Sequence, residues 1–399
     1  MAKLLYLVHR IPYPPNKGDK IRSFHFLKAL AEQYQIYLGT FIDDPDDRQY
    51  VEALKPYCKQ SFCIDLHPKL GKLKSLAGFL TGEALSLPYY RSSAMQAWVD
   101  KIIAEEGVER ALIFSSPMAQ YLEKYPKLHV IADFVDVDSD KWRQYADSKS
   151  WPASWVYQRE AKKLLNYEAV IARQADATLF VSEQEARLFK QLVPASADKI
   201  GFVNNGVDTE FFDPDLDYVS PFPQDLQAIV FTGAMDYWAN VDAVVWFAQR
   251  VFPLVRQQCP QARFFIVGSK PAKQVQQLAE ADASVIVTGR VEDVRTYIAH
   301  ADVVVAPLRI ARGIQNKVLE AMAMAKPVVV TAAAMEGIAA NQSIRVTVAD
   351  APNEFAEQVV RYLRQSIAPV TENRRFVQAD FSWEHNGQRL CALLAGDGA

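Results

Sequence analysis

The residue types best suited to chemistry gather between Val303 and Val330. An apolar run of strand length leads into a loop containing Gly313. The stretch Gln315–Met324 then predicts a helix, and a second apolar run follows Pro327. A strand, glycine loop and helix start present unpaired backbone N–H groups and the positive end of a helix dipole, and both favour a phosphate. Lys317 falls in the first turn of that helix, where a cation is unfavourable unless a polyanion is bound. Lys317 and Glu320 are three apart and share a face, so they either reach one ligand or form an ordinary surface ion pair. Glu320 stands among Leu319, Ala321 and Met322, and a carboxylate in that company needs a partner if buried.

Other familiar chemistries are absent from the sequence. No Gly-x-Gly-x-x-Gly follows the first apolar run, and there is no Gly-x-x-x-x-Gly-Lys-Ser/Thr, His-Glu-x-x-His or Gly-x-Ser-x-Gly. The six histidines are scattered singly and lack metal spacing, so no metal is expected. Cys58, Cys63, Cys259 and Cys391 are too few and too irregular for a disulfide framework, which fits a reducing compartment. The 44 Lys and Arg against 47 Asp and Glu leave a net charge of −3, so no global attraction to nucleic acid is expected. No apolar run approaches the roughly 20 residues that cross a bilayer, and the opening Met1–Arg10 reads as a strand, so a cytoplasmic chain is expected.

The elements that position the chemistry follow an α/β pattern. A chain of 399 residues predicts two domains. Expected strands in the first half are Lys3–Val8, Ile36–Phe41, Ser61–Asp65, Ala111–Ser115, Val130–Phe134 and Ala177–Val181. In the second half they are Ala228–Phe231, Arg263–Val267, Val285–Thr288, Val303–Pro307 and Pro327–Val330. Helices are expected at Asp19–Gln33, with Ile21, Phe24, Leu27, Leu30 and Ala31 on one face, and at Trp155–Ala175, Ala243–Cys259 and Gln315–Met324. Alternation of this kind predicts two parallel sheets covered by helices, with a seam within Val193–Asp208, where Pro194 and Asn204-Asn-Gly206 mark turns.

The string Gly313-Ile-x-x-Lys317-x-x-Glu320-Ala-Met-Ala-x-x-x-Pro327-Val-Val resembles the donor-binding signature of the retaining, nucleotide-sugar-dependent glycosyltransferases of family 4. Val181-Ser-Glu183, Asn205-Gly-Val-Asp208, Phe231-Thr-Gly233, Phe265-Ile-Val-Gly268 and Thr288-Gly-Arg-Val291 resemble further blocks of that family in the same order. The opening Val8-His-Arg-Ile-Pro-Tyr-Pro-Pro-Asn-Lys-Gly18 with Arg22, and Leu85-Ser-Leu-Pro-Tyr-Tyr-Arg91, resemble a bacterial subgroup associated with exopolysaccharide and exosortase (PEP-CTERM) systems. The resemblance implies a GT-B fold of two Rossmann-like domains facing each other across a cleft. Residues 1–200 would bind acceptor and 201–380 the donor, with a C-terminal helix, 381–399, crossing back.

By the same resemblance Glu320 accepts from the ribose hydroxyls, Arg290 and Val291 read the base, and the amides of Gly313, Ile314, Gln315 and Asn316 hold diphosphate and sugar. Lys317 neutralises charge, and Gly233 closes the first strand of the donor half. Gly18, taken to lie in a loop after the first strand, either lets the backbone approach the diphosphate or is a plain turn glycine. Catalysis then consists mostly of stabilising the departing nucleoside diphosphate, without metal or protein nucleophile. Three departures stand out. Where the family has a second Glu, eight before Glu320, this chain has Arg312, and the family's Arg and Lys after Gly233 are replaced by Ala-Met-Asp-Tyr-Trp-Ala-Asn240. Arg312 is expected to supply the missing cation. A family His after Val130–Phe134 is also missing. Asp133, Asp136, Asp138 and Asp140 stand there instead, and Asp136 or Asp138 either binds acceptor or sugar hydroxyls or belongs to a solvated acidic loop.

Residues 67–80 interleave Lys69, Lys72 and Lys74 with Leu70, Leu73 and Leu76, which fits either a short helix on an anionic membrane surface or one packing its leucines on the core. The resemblance implies a glycan or lipid-linked acceptor, and a lipid-linked one would suit the former. Two rival readings are a nucleotide-sugar epimerase of similar fold and a catalytically silent subunit that binds sugar nucleotides.

Overall fold

The computed structural model describes residues 1–15, 18–147, 149–224, 226–311, 313–338, 344–365 and 368–396. The chain divides into two compact units, Met1–Asn205 with Asn386–Ala399, and Gly206–His385. Each is built on one sheet whose strands are all parallel, and each therefore needs helical crossovers on both faces.

In the first unit the strands are β1 (Ala2–Val8), β2 (Tyr34–Ile42), β3 (Gln60–Asp65), β4 (Arg110–Phe114), β5 (His129–Val135), β6 (Ala177–Phe180) and β7 (Ile200–Phe202), in the spatial order β3-β2-β1-β4-β5-β6-β7. The second unit has β8 (Gln227–Thr232), β9 (Ala262–Val267), β10 (Val285–Gly289), β11 (Val303–Ala306), β12 (Val328–Val330) and β13 (Val346–Val348), in the order β10-β9-β8-β11-β12-β13. Central strands such as Leu4–Val8 and Val303–Ala306 are buried along their whole length, as strands covered on both faces must be. In both sheets the order reverses at the first strand, between β1 and β4 and between β8 and β11.

Three features depart from the sequence expectation. β7 and β13 are three residues each, too short to show a period, and are fixed as strands only by pairing with β6 and β12. The helix expected at Ala243–Cys259 begins at Trp238 and runs as Trp238–Trp246, a π-helical turn Phe247–Val251, and Phe252–Gln258. Pro253 has no N–H to donate and its ring crowds the carbonyl four residues back, so the preceding turn widens. The helix Gly18–Ala31 buries charged Lys20 and Arg22 beside Phe24, Phe26, Leu27 and Leu30.

Those two cations are satisfied inside the fold. Lys20 Nζ donates to Asp47 at 2.7 Å. Arg22 forks onto Asp133 at the end of β5 (Nε–Oδ2 2.8 Å, Nη2–Oδ1 3.1 Å), and its Nη1 donates to the Val203 carbonyl and the Asn205 side chain. This one side chain ties the first helix, β5 and the end of the first unit together. The last helix, Trp383–Ala395, starts in the second unit, and from Asn386 onward it belongs to the first. There Gly387 lies against Ala29, and the carbonyls of Leu394 and Leu393 meet Arg110 Nε and the His129 ring at 2.9 Å.

Arg22→Met should lower stability by about 3–5 kcal/mol, because it strands the buried Asp133 carboxylate. Adding Asp133→Leu should recover much of that loss in urea unfolding. A single variant as stable as the parent would show that the pair does not hold the unit together.

Candidate functional site

The order reversal between β8 and β11 leaves a crevice at the carboxyl ends of those strands, the usual ligand position in an open α/β sheet. The chain after β11 reaches that edge, turns at Gly313 with φ of +63°, and enters the helix Asn316–Ala323 capped by Gln315. Gly337 permits this path, since a Cβ there would stand 2.5 Å from the Gly313 carbonyl carbon. The Asn316 and Lys317 amides have no acceptor within their own helix, whereas the Val318 amide donates to the Gln315 carbonyl at 3.0 Å.

Lys317, in that first turn, donates to Asn240 Oδ1 at 2.7 Å, and its Nζ lies 5.1 Å from the Phe231 ring centre. Asn240 is oriented by its own amide, which donates to the Ala234 carbonyl at 2.9 Å. Gly233, with φ of +156°, lies under both residues, and an added Cβ would stand 2.8 Å from the Asn240 amide and 3.4 Å from Lys317 Cε. Burial pushes the Lys317 ammonium down to about 8 against the opposing pull of Glu320. Burial likewise pushes the Glu320 carboxyl up to about 7 against the opposing pull of Lys317. Both side chains keep a solvent-facing edge, so water relieves part of this cost. They do not form the surface ion pair that their spacing also allowed. Lys317 turns to Asn240, and among the described residues the Glu320 carboxylate has neither a hydrogen-bond nor an ion-pair partner.

Arg290 and Val291 follow Gly289 at the end of β10, on the same edge of the sheet, two strands or roughly 10 Å from β8. Arg290 is exposed and Val291 half-buried. Gly233, Arg290, Val291, Gly313, Ile314, Gln315, Asn316, Lys317 and Glu320 thus share one edge of one unit. Arg312 lies outside the described residues. Asn240 was not expected to have a role; it sits seven residues beyond Gly233 and only the fold brings it to Lys317.

The first unit has its own crevice, where the order reverses between β1 and β4. His9 follows β1, stacks on Phe114, and approaches Asp19 at 3.4 Å. Burial works against the Asp19 carboxylate, but His9 and Arg10 hold it well below the usual range. Asp136 and Asp138 both meet Lys141 Nζ, at 2.7 and 3.2 Å, so they form a paired cluster rather than a freely solvated acidic loop. Burial pushes the Asp138 carboxyl up, with Lys141 opposing. Glu168 lies beneath them, receives Ser139 Oγ at 2.6 Å, and is pushed by burial up to about 8. Ser115 and Val135 have φ of 76° and 70° at the ends of β4 and β5. Such backbone is unfavourable for a β-branched residue and concentrates at functional sites. Gly18 is not in a loop: it is the first residue of the helix Gly18–Ala31, and a Cβ there would meet nothing within 4 Å. Its amide sits at a helix start, but no close approach requires glycine in the structure as it stands.

Among the described residues no group of three His, Cys, Asp or Glu could hold a metal ion. No described helix is long and apolar enough to cross a membrane.

No curated protein matches the sequence. Among solved structures the chain is similar to sucrose-phosphate synthase from Thermosynechococcus elongatus, with 18% identity and a TM-score of 0.67 over 99% of each chain. It is also similar to a glycosyltransferase from Rickettsia africae, with 14% identity and a TM-score of 0.65 over 99% of this chain and 98% of that one. Anabaena HepE, solved in complex with UDP, has 15% identity and a TM-score of 0.65 over 99% of this chain and 100% of that one. At such identities the likeness speaks for the fold. With its two all-parallel sheets the chain has the GT-B fold, and residues 227–365, which hold the β8–β11 crevice, match the family of glycosyl transferases group 1.

Proposed function

We propose that the protein is a retaining, metal-independent glycosyltransferase that moves a sugar from a nucleoside-diphosphate sugar to a glycan or lipid-linked acceptor in exopolysaccharide synthesis. The observation that carries the donor reading is Glu320: a partly buried carboxylate with neither hydrogen bond nor ion pair among the described residues, three residues after a desolvated lysine at a helix start, within the segment that matches the family. A nucleoside diphosphate would complete both groups. The two ribose hydroxyls would donate to the Glu320 oxygens, and the diphosphate would meet Lys317 and the amides of Gly313, Ile314, Gln315 and Asn316. Arg290 and Val291, farther along the same edge, would meet the base. The complex of HepE with UDP supports a donor of this class.

Transfer breaks the bond between the anomeric carbon and the diphosphate oxygen and forms one to an acceptor hydroxyl oxygen on the same face of the sugar, whose proton passes to the departing diphosphate. Negative charge grows on the departing diphosphate, and Lys317, held in place by Asn240, opposes it there. Arg312 is assigned the same task on sequence grounds. The first unit would bind acceptor or sugar hydroxyls at Asp136 and Asp138.

A thermal-shift panel of UDP, GDP, ADP and nucleotide sugars tests the reading. A nucleoside diphosphate at 100 times its dissociation constant should add about 2.7 kcal/mol of stability. Glu320→Ala should remove most of that gain, since charge-assisted hydrogen bonds contribute about 1.5–3 kcal/mol each. Binding by the variant equal to the parent's would remove Glu320 from the site.

The pH dependence of the unliganded protein supplies a second check. Glu320 ionises in the unfolded chain near 4.5 and in the folded one near 7, so it withdraws stability as pH rises between those values. Lys317 is protonated below 10.5 unfolded and below about 8 folded, so it withdraws stability as pH falls between those values. Glu320→Gln should therefore flatten the acid limb and Lys317→Met the alkaline one in urea unfolding from pH 5 to 10. With the diphosphate bound both losses should shrink. Profiles that neither variant alters would show that the pair is not desolvated as described.

A further inference from the structure

The helices Pro68–Ser75 and Ala77–Thr81 are joined through Leu76, whose backbone is itself helical, so the two pieces present nearly continuous faces. The face turned inward carries small residues. Gly71 lies against the Tyr89 ring and Gly78 against Leu85, where added Cβ atoms would come within 2.7 and 3.0 Å. The face turned outward carries Leu70, Leu73, Leu76 and Leu80, spaced three, three and four apart, one stripe by helical geometry. Leu73 is 65% exposed and Leu80 92%. A helix that packed on its own core would bury these leucines and turn its small residues to water. This one does the reverse.

The stripe has aromatic neighbours. Phe79, half-buried beneath it, stacks on Trp155 at 6.0 Å and lies under the Arg159 guanidinium at 4.8 Å. Trp155, in the helix Ala153–Gln174, is itself exposed, and Trp151, two residues before that helix, is 80% exposed. Tryptophan combines an apolar body with one polar edge and favours the boundary between lipid and water.

The charges determine which partner fits. Lys69, Lys72 and Lys74 are exposed and, among the described residues, have no acidic partner. No Asp or Glu occurs between Asp65 and Glu83, and Glu83 is engaged by Arg91 at 2.7 Å. Lys163 Nζ adds a further cation beside Gly82. A chain of net charge −3 thus concentrates positive charge around one exposed apolar stripe. Lysine stems can lie along apolar surface while their ammonium groups reach outward to anions, which is the complement of an anionic lipid headgroup layer.

We propose that the outer face of residues 68–80, flanked by Trp155, is a docking surface for an anionic lipid bilayer. The leucines enter the headgroup boundary and the lysines meet lipid phosphates. This surface belongs to the first unit, and the proposal does not depend on the sugar-transfer reading.

The test is flotation of the full chain with vesicles of phosphatidylcholine alone or with about one third phosphatidylglycerol. The protein should float with the anionic vesicles at low salt and be released at high salt, as charges beyond a Debye length are screened. Replacing Lys69, Lys72 and Lys74 together by Gln should weaken binding on the order of 100-fold, at about 1 kcal/mol per lysine. Leu73→Glu with Leu80→Glu should abolish flotation. Unchanged melting temperatures, expected for such exposed sites, would show that both variants remain folded. Failure of the parent to float, equal flotation with phosphatidylcholine alone, or variants that float like the parent would overturn the proposal. So would a parent that does not float and sediments as a dimer which Leu73→Glu with Leu80→Glu makes monomeric, since the stripe would then be covered by a second copy of this chain.

Discussion

Parallel strands must be joined by crossovers, and a sheet that starts with its central strand must send those crossovers first to one side and then to the other. That single constraint accounts for where chemistry is possible in this protein. Around β1 and β4, and again around β8 and β11, the flanking connections diverge and leave the carboxyl ends of two neighbouring strands uncovered. Residues just past those ends, His9 and Ser115 in one unit, Gly233 and Leu308 in the other, are held by buried strands yet lie at a gap. Functional groups placed there combine rigidity with access.

The charged groups near the two gaps illustrate opposite solutions to the cost of burial. Arg22 and Asp133 are fully enclosed, and each nitrogen of the guanidinium donates to a group of the protein itself. Such a pair ties elements together and leaves little for a ligand to complete. Lys317 and Glu320 are different. The lysine has one amide oxygen and a ring face, the carboxylate has neither hydrogen bond nor ion pair among the described residues, and both are pushed toward their neutral forms. A site is recognisable here by what the protein leaves undone, since an anion and a pair of hydroxyls would remove a cost that the fold has already incurred.

Asn240 stands where the sequence departs from the pattern it resembles. The chain lacks cations after Gly233, and the helix that begins at Trp238 instead supplies an amide whose orientation is fixed by the Ala234 carbonyl. That amide points Lys317 across the start of its helix instead of toward Glu320. Gly268 makes the arrangement possible by letting the Gly233 backbone pass so close that any side chain at 268 would collide with it.

Much of this was legible in the linear chain. Long apolar runs marked the central strands because a strand buried on both faces needs no polar alternation, and Gly313, Lys317 and Glu320 could be grouped as one candidate site because their spacing is local to one turn and one helix. What the sequence left open were matters decided by partners distant in the chain. β7 and β13 exist only because neighbouring strands pair with them. Gly18 is a helix start and not a loop. Lys20 and Arg22 are inside because Asp47 and Asp133 are there to receive them. The leucines of residues 68–80 fit burial and exposure equally well by period alone. Their outward direction was decided by Tyr89 and Leu85, which fit closely against glycines and leave no room for larger side chains. Periodicity is a property of one segment, whereas burial belongs to a pair of surfaces, and only the tertiary structure brings the second surface into place.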